Sequence, residues 1–333
     1  MKILIAGAFS NFCLETSYRK GFEENGHEVK TFDIRKAVAP HIRFGKFGKM
    51  LNTILPVDSW IHKANRELVI MAKEFKPDVL VCAANGEVHT GSIAFLKSIL
   101  PVKVVLIWPD TLFNLGKYPL LSAPFYDLVA AHSKAAVSVL QQYGFKNVQW
   151  VPFAGDLSAH YGKPEDNFTY DLTFVGGARP ERERAIAYII DKFPGLRVKV
   201  WGPYWDRSAN KAIKAIANPS PLYGKDFTAV VQSSLISLNI IDDTNYPGSN
   251  MRFYEIPAAG GLQLCSACPE MEERYKDGEY LFYYHSEDEL AQKIDHCLKN
   301  KEQALGAARN FHERVLKEDN YKVRSQQLLE LIH

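Results

Sequence analysis

The chain has 333 residues, 47% hydrophobic and 23% charged, with a net charge of +2; this composition excludes disorder, suits two domains, and gives no reason to expect a nucleic-acid partner. The charge is uneven: residues 1–152 carry 18 Lys and Arg against 12 Asp and Glu, the remainder 22 against 26, so part of the first half could face something anionic. No window holds the roughly 18 uninterrupted apolar residues of a membrane-spanning helix, and five cysteines scattered at 13, 82, 265, 268 and 297 make no disulfide framework; a reducing cytoplasm is the expected setting, for a protein soluble or at most peripheral to a membrane.

The first apolar run, Lys2 to Gly7, stops at Ser10-Asn11 with no small-residue cleavage site after it, so it reads as a buried strand rather than a signal peptide. Strands follow at Glu28 to Ile34, Val79 to Ala83, Val102 to Trp108, Leu128 to Ala131 and Val148 to Val151. Helices fall between them, at Ser17 to Asn25, Ser59 to Phe75, Val88 to Ser98 and Ser133 to Tyr143, the last closed by Gly144. The stretch 35–51 mixes Arg35, Lys36, Arg43, Lys46 and Lys49 with Phe44, Phe47, Met50 and Leu51. It could engage anionic lipid or an anionic acceptor; a solvated loop or an ordinary helix face gives the same pattern.

After Pro152 the polar stretch 155–167 reads as an interdomain linker. A second series begins with strand Asp171 to Val175, helix Glu181 to Lys192 and strand Arg197 to Trp201. Helix Asp226 to Ser233, strand Leu235 to Ile240, helix Met251 to Ala259 and strand Leu262 to Cys265 continue it, and from about Glu287 the chain is helical. Short apolar strands alternating with helices define an α/β fold with parallel sheets. The expected domains are 1–155 and 156–310, with 311–333 as helix returning to the first. Cys265-Ser-Ala-Cys268 has redox-motif spacing but lacks the thioredoxin-like position and a second pair for zinc, so the cysteines read as structural.

In an open parallel sheet, ligands bind beyond the carboxyl ends of the strands. In the second half that rule selects Gly176-Gly177-Ala178-Arg179, where glycines admit a ligand close to the backbone and a helix N-terminus with Arg179 favours an anion; a plain strand-to-helix turn is the alternative. It also selects Trp201-Gly202, and Tyr223 lies a little further on; these aromatics suit a base-stacking wall, although core packing uses them as often. Asn250, Arg252 and Glu255 open a short helix. Arg252 and Glu255, three apart, share one helix face, the arginine fork suiting a diphosphate and the carboxylate a ribose diol, unless the pair is a surface salt bridge. In the first half the same rule selects Phe9 and Ser10, Asn85, Glu87 and His89, Asp110, and His132. Asp110, Glu87 and His132 are the candidate acid–base groups.

Neither a Gly-x-Gly-x-x-Gly turn after the first strand nor a Gly-Lys-Ser/Thr loop occurs, which weakens dehydrogenase and nucleotide-hydrolase readings. Asp242-Asp243 reads as a strand-end turn, and no obligatory metal or other cofactor is expected.

Tyr170 to Gly177, Arg179-Pro-Glu-Arg182, Val200-Trp-Gly-Pro, Tyr223-Gly224, Ser237-Leu-Asn239, Arg252-Phe-Tyr-Glu255, Ala259-Gly-Gly261 and Asn320-Tyr-Lys-Val-Arg324 together resemble the CgeB-like, group 1 and family 4-related GT-B glycosyltransferases. The resemblance covers about 160 residues of the second half; the first half resembles the family only in layout. It implies two facing Rossmann-like domains, with a nucleoside-diphosphate sugar such as a UDP-sugar as donor on the second and a hydroxyl acceptor (glycan, lipid-linked or protein) on the first. Gly177, Arg179 and Arg252 would lie near the phosphates, Tyr223 near the base and Glu255 on the ribose; Asn250 and Met251 stand where the wider group often has a Glu. Gly176, Trp201, Gly202 and Asn250 complete the donor-side candidates, and Phe9, Ser10, Asn85 and His89 are those of the acceptor side. The implied reaction is hexosyl transfer, retaining and without metal. A glycosyltransferase-like scaffold that has lost catalysis, or a sugar-nucleotide epimerase of related architecture, are the alternatives.

Overall fold

The computed structural model describes residues 1–83 and 87–332. The chain divides into two compact units, one formed by residues 1–152 with the segment from Tyr321, the other by residues 153–320. Among the described residues each unit carries one six-stranded sheet.

In the first unit the strands are β1 (Lys2–Gly7), β2 (Glu28–Asp33), β3 (Val79–Ala83), β4 (Lys103–Trp108), β5 (Leu128–Ala131) and β6 (Val148–Trp150), in the order β2-β1-β3-β4-β5-β6. Every pairing is parallel. Burial on both faces explains the continuous apolar runs of β1, β3, β4 and β5, whereas the edge strands β2 and β6 are partly exposed and carry polar residues. One face of the sheet packs Leu4, Leu80, Val104, Leu106 and Val129 against Ala64, Leu68 and Ala72 of helix Asp58–Phe75 and against Leu96 and Leu140. Gly144, with φ +90°, closes helix Lys134–Gln142 as expected of a glycine just past a helix end.

Helix Tyr321–Glu330 belongs to this unit because it lies on helix Leu14–Glu24. The contact depends on Gly21: a Cβ there would come within 2.3 Å of both the Tyr321 carbonyl oxygen and Ser325 Oγ. Tyr18 meets the Tyr321 ring edge-on at 5.2 Å.

The second unit holds β7 (Tyr170–Val175), β8 (Val198–Trp201), β9 (Ala217–Asn218), β10 (Ser234–Asn239), β11 (Gln263–Ser266) and β12 (Phe282–Tyr284), in the order β12-β11-β10-β7-β8-β9. All of these pairings are parallel too. The unit runs to Asn320 rather than to 310, because helix Lys301–Lys317 buries Ala304, Ala307 and Ala308 in this core with Leu172, Ile236 and Ile294. The same helix carries Arg314, which joins Arg274 and the Tyr275 hydroxyl around the fully buried Asp319 carboxylate, at 3.2, 2.9 and 2.8 Å. The chain is thus anchored at the point where it leaves the second unit.

All five cysteines are free thiols, four of them buried. Burial pushes Cys265 well above its usual range and Cys82 up to about 12, so neither has the lowered pKa that thiolate chemistry requires.

Candidate functional site

Helix Arg252–Ala258 divides its first turn between core and site. Phe253 and Tyr254 point into an aromatic cluster with Tyr275 and Phe311, at centroid separations of 5.2, 5.4 and 6.1 Å. That fixes the helix axially and leaves Arg252 and Glu255, one turn apart, on another face. They form an ion pair. Side-chain exposures of 24% for Arg252 and 7% for Glu255 rule out the surface salt bridge, since this carboxylate lies below the surface. Glu255 Oε1 stands 3.9 Å from Nδ1 of the buried His160. The Arg252 guanidinium is 4.2 Å from the Phe227 ring centroid, the stacked geometry for which arginine is suited.

Asn250 serves the scaffold. Its Oδ1 accepts from Phe253 N at 3.1 Å, and it exchanges two amide hydrogen bonds with Asn239, which also donates to Gln263. With both ends of the amide engaged, Asn250 caps the helix and ties it to β10; that is where the structure places this donor-side candidate.

Two arginines follow the carboxyl end of β7. Helix Pro180–Lys192 starts with proline at its first position and no side-chain cap, so its leading N–H groups remain an anion-binding end. Arg179, at the N-cap position, is 45% exposed and 3.7 Å from Asp242. Arg182 lies deeper, donating to the Gly177 carbonyl at 3.0 Å and to Asp242 at 2.9 Å. Burial lowers the Arg182 pKa, and the charges of Arg179 and Arg252 lower it further while Asp242 opposes them. Arg182 therefore lies in the field of the other two guanidiniums.

Asp242 is the counterweight. Its turn is built by hydrogen bonds from Thr244 and from the backbone and side chain of Asn245, as expected of a strand-end Asp. Burial alone pushes its pKa up, but those hydrogen bonds and the two arginines hold it below the usual carboxylate range. Neither Asp242 as an arginine partner nor Arg182 as a brace was singled out from sequence. The one signal for Arg182 was its spacing, three residues after Arg179 on a helix.

Gly202 is required where it stands. Its φ is +137°, and a Cβ would lie 2.2 Å from the Gly176 carbonyl oxygen, so β7 and β8 converge here backbone to backbone. Gly176 is spent on this junction, donating to Trp201 O and accepting from the Trp205 indole, at 2.8 and 2.7 Å. Gly177 has more room, with Pro203 Cγ at 3.4 Å as the nearest atom to a Cβ. Trp201 is buried edge-on to Tyr170, which leaves little of its ring for a ligand. Tyr204 and Tyr223, by contrast, are exposed, as are Tyr161 and Tyr246 elsewhere in the unit. Tyr223 precedes helix Gly224–Gln232, directly after Leu222, whose carbonyl faces Arg252 Nη2 at 3.5 Å.

In the first unit, Glu87, Asp110 and His132 follow β3, β4 and β5, which are neighbours in the sheet. Asp110 is turned into its own loop, accepting from Thr111 N at 2.7 Å and Asn114 Nδ2 at 2.8 Å. His132 is buried, its carbonyl accepting from the Trp150 indole. Glu87 lines a cavity of about 1010 Å³ with Arg35, Lys49, Leu55, Asn114 and Tyr118. Burial raises its pKa, with Asp33 adding and Arg35, 3.8 Å away, opposing. His89 stacks on Tyr118 at 4.5 Å, and burial followed by the nearby His62 lowers its pKa. Phe9 is partly exposed, and Ser10 is exposed with its N–H on Cys13 Sγ. Asn85 lies outside the described residues. Sequence reading passed over Glu15, a buried carboxylate that accepts from Ala8 N in the turn after β1. Among the described residues no group of three His, Cys, Asp or Glu side chains could hold a metal ion, and no helix is long and apolar enough to cross a membrane.

Residues 181–330 match the model of a family described as glycosyl transferase-like. No curated protein matches the chain in sequence. Similar solved structures include a glycosyltransferase from Rickettsia africae ESF-5, 13% identical, covering 99% of this chain and 97% of that one, with a TM-score of 0.69. Sucrose-phosphate synthase from Thermosynechococcus elongatus is 11% identical over 99% and 98% of the two chains, at 0.66. Alr3699/HepE of Anabaena in complex with UDP is 15% identical over 99% of each, at 0.65. At these identities the likeness establishes the fold, which is that of the GT-B glycosyltransferases.

Proposed function

We propose that this protein is a CgeB-like glycosyltransferase that moves a sugar from a nucleoside-diphosphate sugar to a hydroxyl acceptor, with retention at the anomeric carbon and no obligatory metal. The observation that carries this reading is the pairing of Arg179 and Arg182 on the buried Asp242 at an uncapped helix N-terminus, together with the Arg252–Glu255 pair of the same unit, which matches a glycosyl transferase-like family over residues 181–330. As the bond from the anomeric carbon to the diphosphate breaks, charge builds on the departing oxygen. Arg179 and Arg252, both reachable from solvent, would take up that charge, and Arg182 would hold the Gly177 carbonyl and Asp242 so that the pocket does not collapse on its own cations. In this reading Arg252 passes from Glu255 to a phosphate, which releases the Glu255 carboxylate for the ribose hydroxyls. Tyr223 supplies a face to the base. The UDP complex of the Anabaena relative supports uracil as that base.

The acceptor belongs to the first unit in this reading, with Glu87 in its cavity hydrogen-bonding the hydroxyl that attacks, and Phe9, Ser10 and His89 on the same carboxyl edge. Release of UDP from UDP-sugars, measured with and without hydroxyl acceptors, tests it. Acceptor-dependent UDP release that falls in an Arg179→Ala variant is the expected result. UDP bound without any turnover would replace the enzyme by a nucleotide-binding scaffold, and conversion of the donor sugar with no acceptor would point to an epimerase.

A further inference from the structure

Helix Gly45–Ile54 in the first unit presents its apolar side to solvent. Phe47, Met50 and Ile54 recur at helical spacing on one face, and Phe44 and Leu55 flank it; these five side chains belong to residues 54% to 75% exposed. Lys46 and Lys49 form the adjoining strip, with Arg43 just before the helix, all exposed. Gly48 is buried, and a Cβ there would fall 1.6 Å from the Arg43 carbonyl oxygen, so helix and preceding turn are in backbone contact. Phe44 holds φ +67°, a conformation costly for a bulky side chain. The last turn, through Asn52, Thr53 and Ile54, lines the cavity that contains Glu87.

Charge identifies what covers this face. Between Asp33 and Asp58 the chain carries Arg35, Lys36, Arg43, Lys46 and Lys49 and no acidic residue. A second copy docking the same face on itself would set cations against cations, because a two-fold contact pairs each patch with its own image. An apolar ridge edged by Lys and Arg matches an anionic lipid surface, whose acyl boundary takes the Phe and Met side chains and whose headgroups take the cations.

We infer that helix Gly45–Ile54, with Phe44 and Leu55, is a membrane-docking element that binds anionic lipid surfaces in the interfacial plane. The surface is shifted from the stretch 35–51 expected in the sequence, since Val38 is buried and the exposed ridge continues to Leu55. This inference stands independently of the donor site.

The test is co-sedimentation of the full chain with phosphatidylcholine vesicles and with vesicles containing phosphatidylglycerol, combined with a Phe47→Trp variant in which the emission added to that of the wild type reports insertion. The expected result is binding to the anionic vesicles only, weakened by salt, with a blue shift of the added indole emission in that variant. A Lys46→Glu/Lys49→Glu variant should bind them roughly tenfold or more weakly, and Phe47→Ser/Ile54→Ser should lose binding while melting at the wild-type temperature. Equal binding or equal indifference to the two vesicle types, or an unshifted emission on anionic vesicles, would overturn the inference. So would a dimer in sedimentation velocity that Phe47→Ser/Ile54→Ser dissociates, which would assign the face to a second copy.

Discussion

Arg252 is stacked on Phe227 and paired with Glu255, two interactions that hold its planar fork at one orientation. A lysine would keep the charge and lose both the stacking and the planar fork that suits a phosphate. Arg252→Lys should therefore weaken UDP binding by roughly 10- to 100-fold, the equivalent of about 1.5–3 kcal/mol for a charge-assisted contact, in isothermal titration calorimetry, with the folded spectrum retained. Unchanged affinity would remove Arg252 from the donor site. Glu87 makes a second, independent prediction. Its folded pKa is raised by burial, so its contribution to stability is complete below the ordinary carboxylate pKa and is lost as pH rises through the raised value. Glu87→Gln should accordingly melt above the wild type at neutral pH and converge with it below about pH 4, while slowing acceptor-dependent turnover if Glu87 meets the acceptor hydroxyl. At this scale the sequence marked Arg252 and Glu255 through their spacing and Arg179 through its place between a strand end and a helix start. It could not mark Asp242 as the partner of Arg179 and Arg182, because the Arg182 contact joins the segment after β10 to the helix after β7 across 60 positions. It also could not separate Asn250 as a cap from Asn250 as a ligand group, since a polar residue before a helix suits both.

Among the elements, the buried strands were legible as apolar runs, and the edge strands β2 and β6 were read from shorter, mixed stretches. β9 and β12, two and three residues long, are too short for a period to emerge, and each forms only because a longer neighbour supplies its hydrogen bonds. Helix Gly45–Ile54 escaped for the opposite reason: its apolar positions face outward, so the stretch carries the residues of a core helix without a core. The return of the C-terminal helix was anticipated from helix length, but its docking point rests on one residue the sequence does not distinguish. Gly21→Val should destabilise the first unit by about 1–3 kcal/mol, the usual cost of overpacking, because the new side chain would strike the Tyr321 carbonyl. Gly91→Ala, at the start of helix Thr90–Ile99 with nothing within 4 Å of the added carbon, is the control. Comparable melting temperatures for the two variants would mean that the helix contact does not limit stability.

Across the whole molecule, two parallel sheets each offer their carboxyl edge to a ligand, and the chemistry of the two edges differs. The second sets Arg179 and Arg182 on the buried Asp242 and pairs Arg252 with Glu255; the first lines a cavity with a carboxylate of raised pKa and neighbouring cations. The charge imbalance read from the sequence has a structural counterpart in the first unit, where the unbroken run of cations between Asp33 and Asp58 includes a solvent-facing helix. The measurement that bears most directly on the central claim is a thermal-shift panel of UDP, GDP, ADP and TDP with the full chain, repeated on Arg179→Ala. A ligand that binds only the folded protein stabilises it by about 2.7 kcal/mol at a concentration of 100 times Kd. The account predicts a concentration-dependent rise in Tm with UDP and UDP-sugars that is reduced in the variant. A Tm indifferent to every nucleoside diphosphate would contradict it.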